Sequence, residues 1–286
     1  MLVSSKQLLL KAQKEKYGQG AFNTCNLEIT KAIVRAAEKL SSPLIIQTSE
    51  REALHGGISK LACLIRKFAK ESKIPVVLHF DHGKSFEMIK KCINAGYTSV
   101  MIDGSKLSFE ANIELTKKVV KFAHRRRIPV EGELGVVPTP KIKTKIIASK
   151  KERQKTMTDP DQAQEFVKET GVDFLAVAIG NAHGFYKGKP KLDFERLAAI
   201  KKKVKIPLVL HGGSGIKSTD IKKAISLGIC KINVNTELRI AFSDALRKAL
   251  VDSKAHLPYK FMKLAEEAVF KVVSRKIKLF GCAQKV

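Results

Sequence analysis

Eight short apolar runs punctuate the chain, and amphipathic stretches of helical length separate them. The runs are residues 20–23, 44–49, 76–82, 99–104, 130–135, 174–180, 208–211 and 229–233. Several open after a proline (Pro43, Pro75, Pro129, Pro207), which is tolerated at the first position of a strand. Between them, residues 27–40 set Ile29, Ala32, Ile33, Ala36, Ala37 and Leu40 on a 3.6-residue period. Residues 109–125, 161–170, 193–203 and 219–227 behave alike. Ser218 and Asp159 read as N-caps, with Pro160 at a first helical position. Strands that are apolar on both faces belong in a parallel sheet covered by helices. Eight of them, in 286 residues, fit an α/β architecture closed into a single (β/α)8 TIM barrel. An open doubly wound sheet is the alternative. It would want a phosphate-binding turn after its first strand, and Gly18-Gln19-Gly20 lies before that strand. The expected organisation is one barrel domain over residues 1–286, with a Lys-rich loop at 136–157 and a C-terminal helical extension.

Hydrophobic residues at 44% are enough for a full core, which argues against disorder. Lys and Arg number 54 against 27 acids, a net charge of +27. The excess is spread along the chain, with no aromatic RNA-reading run, so nucleic acid is an unlikely partner and most charges read as solvated helix faces. The five cysteines form no CxxC pair, as expected of free thiols in a reducing compartment. No stretch of 18 apolar residues occurs. A soluble, cytoplasmic protein with no membrane association is expected.

In a barrel of this kind, chemistry collects at the C-terminal ends of the strands. The polar residues gather there. The third run ends in His79-Phe80-Asp81-His82-Gly83, the fourth in Asp103-Gly104-Ser105, and the fifth carries Glu131-Gly132-Glu133. The sixth leads into Asn181-Ala182-His183-Gly184, the seventh into His211-Gly212-Gly213-Ser214-Gly215, and the eighth into Asn233-Val234-Asn235-Thr236. A lone strand-end histidine is more often structural than a ligand. Three at three strand ends, His82, His183 and His211, can converge on one Zn²⁺ and leave a position open for substrate. Asp103 and Glu133 can provide a second metal position or orient the histidines. Gly212, Gly213 and Ser214 sit between a strand and a helix, where backbone N–H groups favour phosphate; Asn233 and Thr236 can complete that cradle. Asp81, beside His82, is placed to exchange a proton with a hydroxyl.

These motifs, in this order and with Ala21-Phe22-Asn23 near the start, resemble the class II, zinc-dependent fructose-bisphosphate aldolases, to which the tagatose-bisphosphate aldolases are close. The resemblance covers almost the whole chain. It implies zinc on His82, His183 and His211, with Asp103 and Glu133 at a second, looser metal position. It implies Asp81 as proton donor and acceptor at the C4 hydroxyl. Gly184, Gly212, Gly213, Ser214, Asn233, Val234, Asn235 and Thr236 would hold the dihydroxyacetone-phosphate half, with Asn23 and Ser49 near the substrate. It also implies a monovalent cation (Na⁺ or K⁺) near the phosphate and a homodimer or homotetramer. The expected reaction is cleavage of fructose 1,6-bisphosphate, a phosphorylated sugar of glycolysis, to dihydroxyacetone phosphate and glyceraldehyde 3-phosphate. The alternatives are tagatose bisphosphate as substrate, or a family member of altered activity that keeps zinc and triose-phosphate binding. Two departures motivate the last. Lys141 stands near the place of the family's loop Glu, with Glu152 the loop's only acid, and Leu257-Pro258-Tyr259-Lys260 replaces an Asp-Pro-Arg.

Overall fold

A computed structural model describes residues 1–138, 156–184, 191–252 and 256–286. Most of the Lys-rich loop expected at 136–157, including Lys141 and Glu152, lies outside the described residues. The strands are β1 (Gln19–Asn23), β2 (Leu44–Ser49), β3 (Val76–Gly83), β4 (Ser99–Ile102), β5 (Val130–Leu134), β6 (Phe174–Val177), β7 (Leu208–Leu210) and β8 (Ile229–Val234). Each pairs in parallel with the next, and β8 pairs with β1, so the sheet closes into a barrel. The helices that cover it are α2 (Leu27–Lys39), α3 (Glu50–Gly56), α4 (Ile58–Glu71), α5 (Phe86–Asn94), α6 (Phe109–His124), α7 (Pro160–Thr170), α8 (Phe194–Lys203) and α9 (Ser218–Ser226). Ahead of β1 lies α1 (Ser5–Glu15); after β8 come α10 (Thr236–Asp252) and α11 (Pro258–Phe280).

The period of two along each strand divides the core. Phe22, Ile46, Leu78, Val100, Leu175 and Ile232 face outward, into the layer between strands and helices. Ala21, Ile45, Val77, Ala176 and Val209 meet inside the barrel, where Leu8 and Leu9 of α1 pack with them and close its lower end. Above that apolar plug the inward columns turn polar. Ala21 is followed two residues on by Asn23, Ile45 by Gln47, Val77 by His79 and Asp81, and Val209 by His211. Burying this apolar surface stabilises the barrel by roughly 25 cal/mol per Å², and the frame it makes holds the polar layer above it.

Local signals largely set the ends of the elements. Asp159 caps α7 by accepting from the Asp161 and Gln162 N–H groups, with Pro160 as the first helical residue. Ser218 differs from its expected role. It is the first residue of α9, the cap position falls on Lys217, and the Lys217 carbonyl accepts from Asp220 and Ile221. The sixth strand stops at Val177 because Ala178 leaves the sheet and pairs with Thr158, N to Oγ1 at 2.8 Å and O to N at 2.9 Å. The helix α11 packs on α2 and α10, pinned by Glu266, which meets Arg35 and Lys31. Among the described residues no helix is long and apolar enough to cross a membrane.

Candidate active site

Consecutive residues of a regular strand point to opposite faces, so Asp81 and His82 could not both face the barrel mouth from one. The structure resolves this with an irregularity in β3. Its register against β4 shifts between Phe80 and Gly83, and His82 takes a left-handed backbone, φ +53°. Such a conformation is uncommon for a residue with a side chain, and bulges of this kind re-aim side chains beside active sites. His82 thereby reaches Asp103, Nδ1 to Oδ2 at 2.9 Å, while Asp81 stays in the inward column.

His82, His183 and His211 bring one ring nitrogen each within 4.8 Å of one another. His82 Nε2 and His211 Nδ1 lie 2.9 Å apart. His82, Asp103 and Glu133 form a second cluster within the same 4.8 Å limit. His183 is carried by the loop after β6, where its N–H donates to the Pro138 carbonyl at 2.9 Å. Asn181 positions that loop: it accepts from Ile179 N–H at 2.8 Å and donates to the His211 carbonyl at 3.0 Å.

The electrostatics are those of a site built around positive charge. Burial pushes Glu133 up to about 8; His82 opposes that shift, while Asp103 and Glu131 add to it. Burial works to lower His82, but the nearby Asp81, Asp103 and Glu133 outweigh it and raise it to about 10. His183 falls to about 4 and His211 well below the ordinary range, through burial first and then the charge of His82. Burial opposes the ionised form of Asp103, yet its hydrogen bond to His82 holds its carboxyl well below normal. Glu133 Oε2 is buried with no donor among the described residues. Two imidazoles held neutral, His183 and His211, a third, His82, set among carboxylates, and an orphaned carboxylate oxygen fit a divalent cation of zinc's ligand preference, which would displace the His82 proton.

Beneath His211 lies a buried ion pair that sequence reasoning left without a role. His211 Nε2 meets Glu131 Oε1 at 2.8 Å, and Glu131 Oε2 accepts from Lys231 at 2.8 Å. Lys231 also approaches His79 Nε2 at 3.4 Å, and His79 Nδ1 meets Ser99 Oγ at 2.8 Å. Since Glu131 accepts at Nε2, the His211 tautomer there carries its proton, and Nδ1 offers a lone pair to the cluster. The available signal was a lysine inside an apolar strand two residues before Asn233: such a charge needs a buried partner.

Asp81 is held by three amides. Asn233 Nδ2 donates to Oδ1 at 3.1 Å, and Asn23 Nδ2 and Gln47 Nε2 donate to Oδ2 at 3.3 Å each. Ser49, in register with Asp81, caps α3 and forms a capping box with Glu52. Glu52 Oε2 accepts from Asn23 and from the Ser49 N–H, and Oε1 accepts from Asn235. Neither Glu52 nor Gln47 stood out in the sequence.

The glycine-rich turn after β7 is tight. A Cβ on Gly212, φ +65°, would lie 2.0 Å from the Ala182 carbonyl oxygen, so no other residue fits. Two of its N–H groups are already engaged: Gly213 donates to the Asn233 carbonyl and Gly215 to Glu237 Oε1, each at 3.0 Å. Ser214 Oγ accepts from Glu237 N–H at 3.3 Å. Gly184, φ +87°, has open space where its Cβ would be. Val234 points into the outer core, so only its backbone can face a ligand. Thr236 opens α10.

The model of the class II fructose-bisphosphate aldolases matches residues 3–285. This chain belongs to that family. It is 44% identical to a fructose-bisphosphate aldolase of Thermus caldophilus, with 98% of each chain covered. The crystal structure of the YdjI aldolase from Escherichia coli K12 superposes with a TM-score of 0.89 at 38% identity, covering 100% of this chain and 99% of that one. A putative fructose-1,6-bisphosphate aldolase from Coccidioides immitis gives 0.87 at 28% identity, over 98% and 96% of the two chains. Zinc dependence is general in the family, and the barrel matches what the strand count predicts.

Proposed function

We propose that this chain is a zinc-dependent aldolase that cleaves fructose 1,6-bisphosphate to dihydroxyacetone phosphate and glyceraldehyde 3-phosphate. The observation that carries the reading is the convergence of His82, His183 and His211 within 4.8 Å, beside an Asp81 held in place by three amides. In it, His82, His183 and His211 are the zinc ligands, and Asp103 and Glu133 form the alternative metal position. Zinc bound there supplies Lewis-acid polarisation of the substrate's carbonyl. Asp81 takes the C4 hydroxyl proton in cleavage and returns it in condensation. Asn23, Gln47 and Asn233 keep its carboxylate oriented for that transfer. The turn at Gly212, Gly213 and Ser214, with Gly184, Asn233, Val234 and Thr236, holds the phosphate of the dihydroxyacetone half, and Asn235 stands beside the substrate. Ser49, the register partner of Asp81 on β2, stands near the substrate. A monovalent cation, Na⁺ or K⁺, beside that phosphate rests on the family resemblance. Free thiols at all five cysteines support a reducing, cytoplasmic setting.

A coupled cleavage assay with fructose and tagatose 1,6-bisphosphates tests the reading, run with and without a chelator. Chelator-sensitive cleavage of the fructose sugar is expected. Asp81→Ala should keep its zinc and lose about 10²–10⁴-fold in rate, the range for an acid–base group. Cleavage that survives complete removal of metal would overturn the assignment.

A further inference from the structure

Carboxylates turn the amides around Asp81. An ionised carboxylate only accepts hydrogen bonds, so an asparagine that meets one must present its NH₂ group. Asn233 presents it to Asp81 Oδ1 at 3.1 Å, and Asn235 presents it to Glu52 Oε1 at 2.9 Å. In both residues the carbonyl oxygen is left buried with no donor among the described residues. Asn233 belongs to the inward column of β8, and Asn235 follows the strand's last residue, Val234; both reach the carboxylates at the mouth. Buried acceptors of this kind are costly unless something that binds there supplies a donor.

Glu52 braces three neighbouring strand ends. It accepts from Asn235 after β8, from Asn23 on β1 at 2.9 Å, and from the Ser49 N–H on β2 at 2.7 Å. The capping box of α3 needs only a Glu or Gln at this place. The two asparagine amides fall on different carboxylate oxygens, Asn23 on Oε2 and Asn235 on Oε1.

We infer that Glu52 is a specificity-determining positioning residue: it holds Asn235 with its carbonyl oxygen free, and that oxygen accepts a hydrogen bond from the substrate hydroxyl next to the one Asp81 deprotonates. On the aldolase reading, upon which this rests, that group is the C5 hydroxyl of the sugar. A Gln at position 52 has one accepting oxygen and an NH₂ group. It keeps the helix cap but cannot accept from both Asn23 and Asn235, so one amide turns round and the acceptor is lost.

The test compares kcat/KM for fructose 1,6-bisphosphate and for its 5-deoxy analogue. The parent should prefer the hydroxylated sugar, and Glu52→Gln should erase about tenfold of that preference, as expected when a site built for a hydroxyl loses its partner. Asn235→Ala leaves Glu52 bonded to Asn23 and Ser49 and should erase the same preference, which keeps the test open if Glu52→Gln folds poorly. A preference unchanged within twofold in both variants, or absent in the parent, overturns the inference while leaving the aldolase reading intact. If the parent cleaves neither sugar, the aldolase reading itself falls. The ¹⁵N-labelled side-chain amides then decide: the Asn235 resonance must shift between parent and Glu52→Gln, and an unchanged resonance overturns the role of Glu52. A response of that resonance to K⁺ alone, and not to sugar, also overturns it by making the oxygen a cation ligand.

Discussion

His82 shows what a sequence can and cannot disclose about a single residue. That it is a ligand candidate follows from its place at a strand end beside two other such histidines. That it and Asp81 face the same mouth follows only from the bulge and the left-handed backbone at φ +53°, which no residue type signals. Metal binding is the direct readout. His183→Ala should lose zinc and activity together, measured by metal analysis of the purified protein, and full zinc occupancy in that variant would remove His183 from the ligand set. Deeper in the barrel, Lys231 and Glu131 are an ion pair with both side chains at most 1% exposed. Removing one partner strands the other charge, which typically costs about 3–5 kcal/mol. Lys231→Met should therefore lower stability by that order in chemical denaturation. Pairing it with Glu131→Gln should recover much of the loss; a single variant as stable as the parent would show that the pair contributes nothing.

At the scale of elements, strands and amphipathic helices were legible because apolar periodicity is a local property. Their exact ends were less so, since β6 ends where Thr158, a residue of a distant loop, competes for the backbone of Ala178. The role of α1 was also hidden: a helix ahead of the first strand shows its purpose only when Leu8 and Leu9 fill the lower barrel. Asp173 ties the same end together. It accepts from Lys6 of α1, His124 of α6 and the N–H of Val130 in β5, each at 2.8 Å. Burial works against its charge, but these donors win and hold its carboxyl below the ordinary value. A carboxyl lowered on folding contributes stability above its unfolded value of about 3.9, and that contribution is lost as pH falls through the folded value. Asp173→Asn should destabilise the protein by about 1–3 kcal/mol at pH 7, and the gap from the parent should narrow below about pH 4. A gap that stays constant from pH 7 down to pH 3 would mean the carboxylate's charge has no part in it.

At the scale of the whole molecule, the sequence announced a barrel but not which apolar side chains its helices leave exposed. The end of α10 and the start of α11 expose Leu250, Val251, Leu257, Tyr259 and Leu264, with Val251 85% and Tyr259 67% exposed. Large apolar side chains exposed at successive helix ends are candidates for an interaction surface, and self-association into a symmetric dimer or tetramer is the commonest way to cover one. Charge opposes that association. Two copies carry +27 each, and their mutual repulsion reaches about 30 Å at 0.01 M salt but only about 10 Å at 0.1 M. Apolar burial does not weaken as salt is added, whereas the repulsion does, so the assembly should tighten as ionic strength rises. Light scattering coupled to size-exclusion chromatography should find a dimer or tetramer at 0.15 M salt and a smaller species at low salt. Val251→Asp combined with Tyr259→Asp should leave the 31.7 kDa monomer at both. A parent that is monomeric at tens of micromolar in 0.15 M salt, or a double variant that assembles as the parent does, would place the assembly surface elsewhere or remove it.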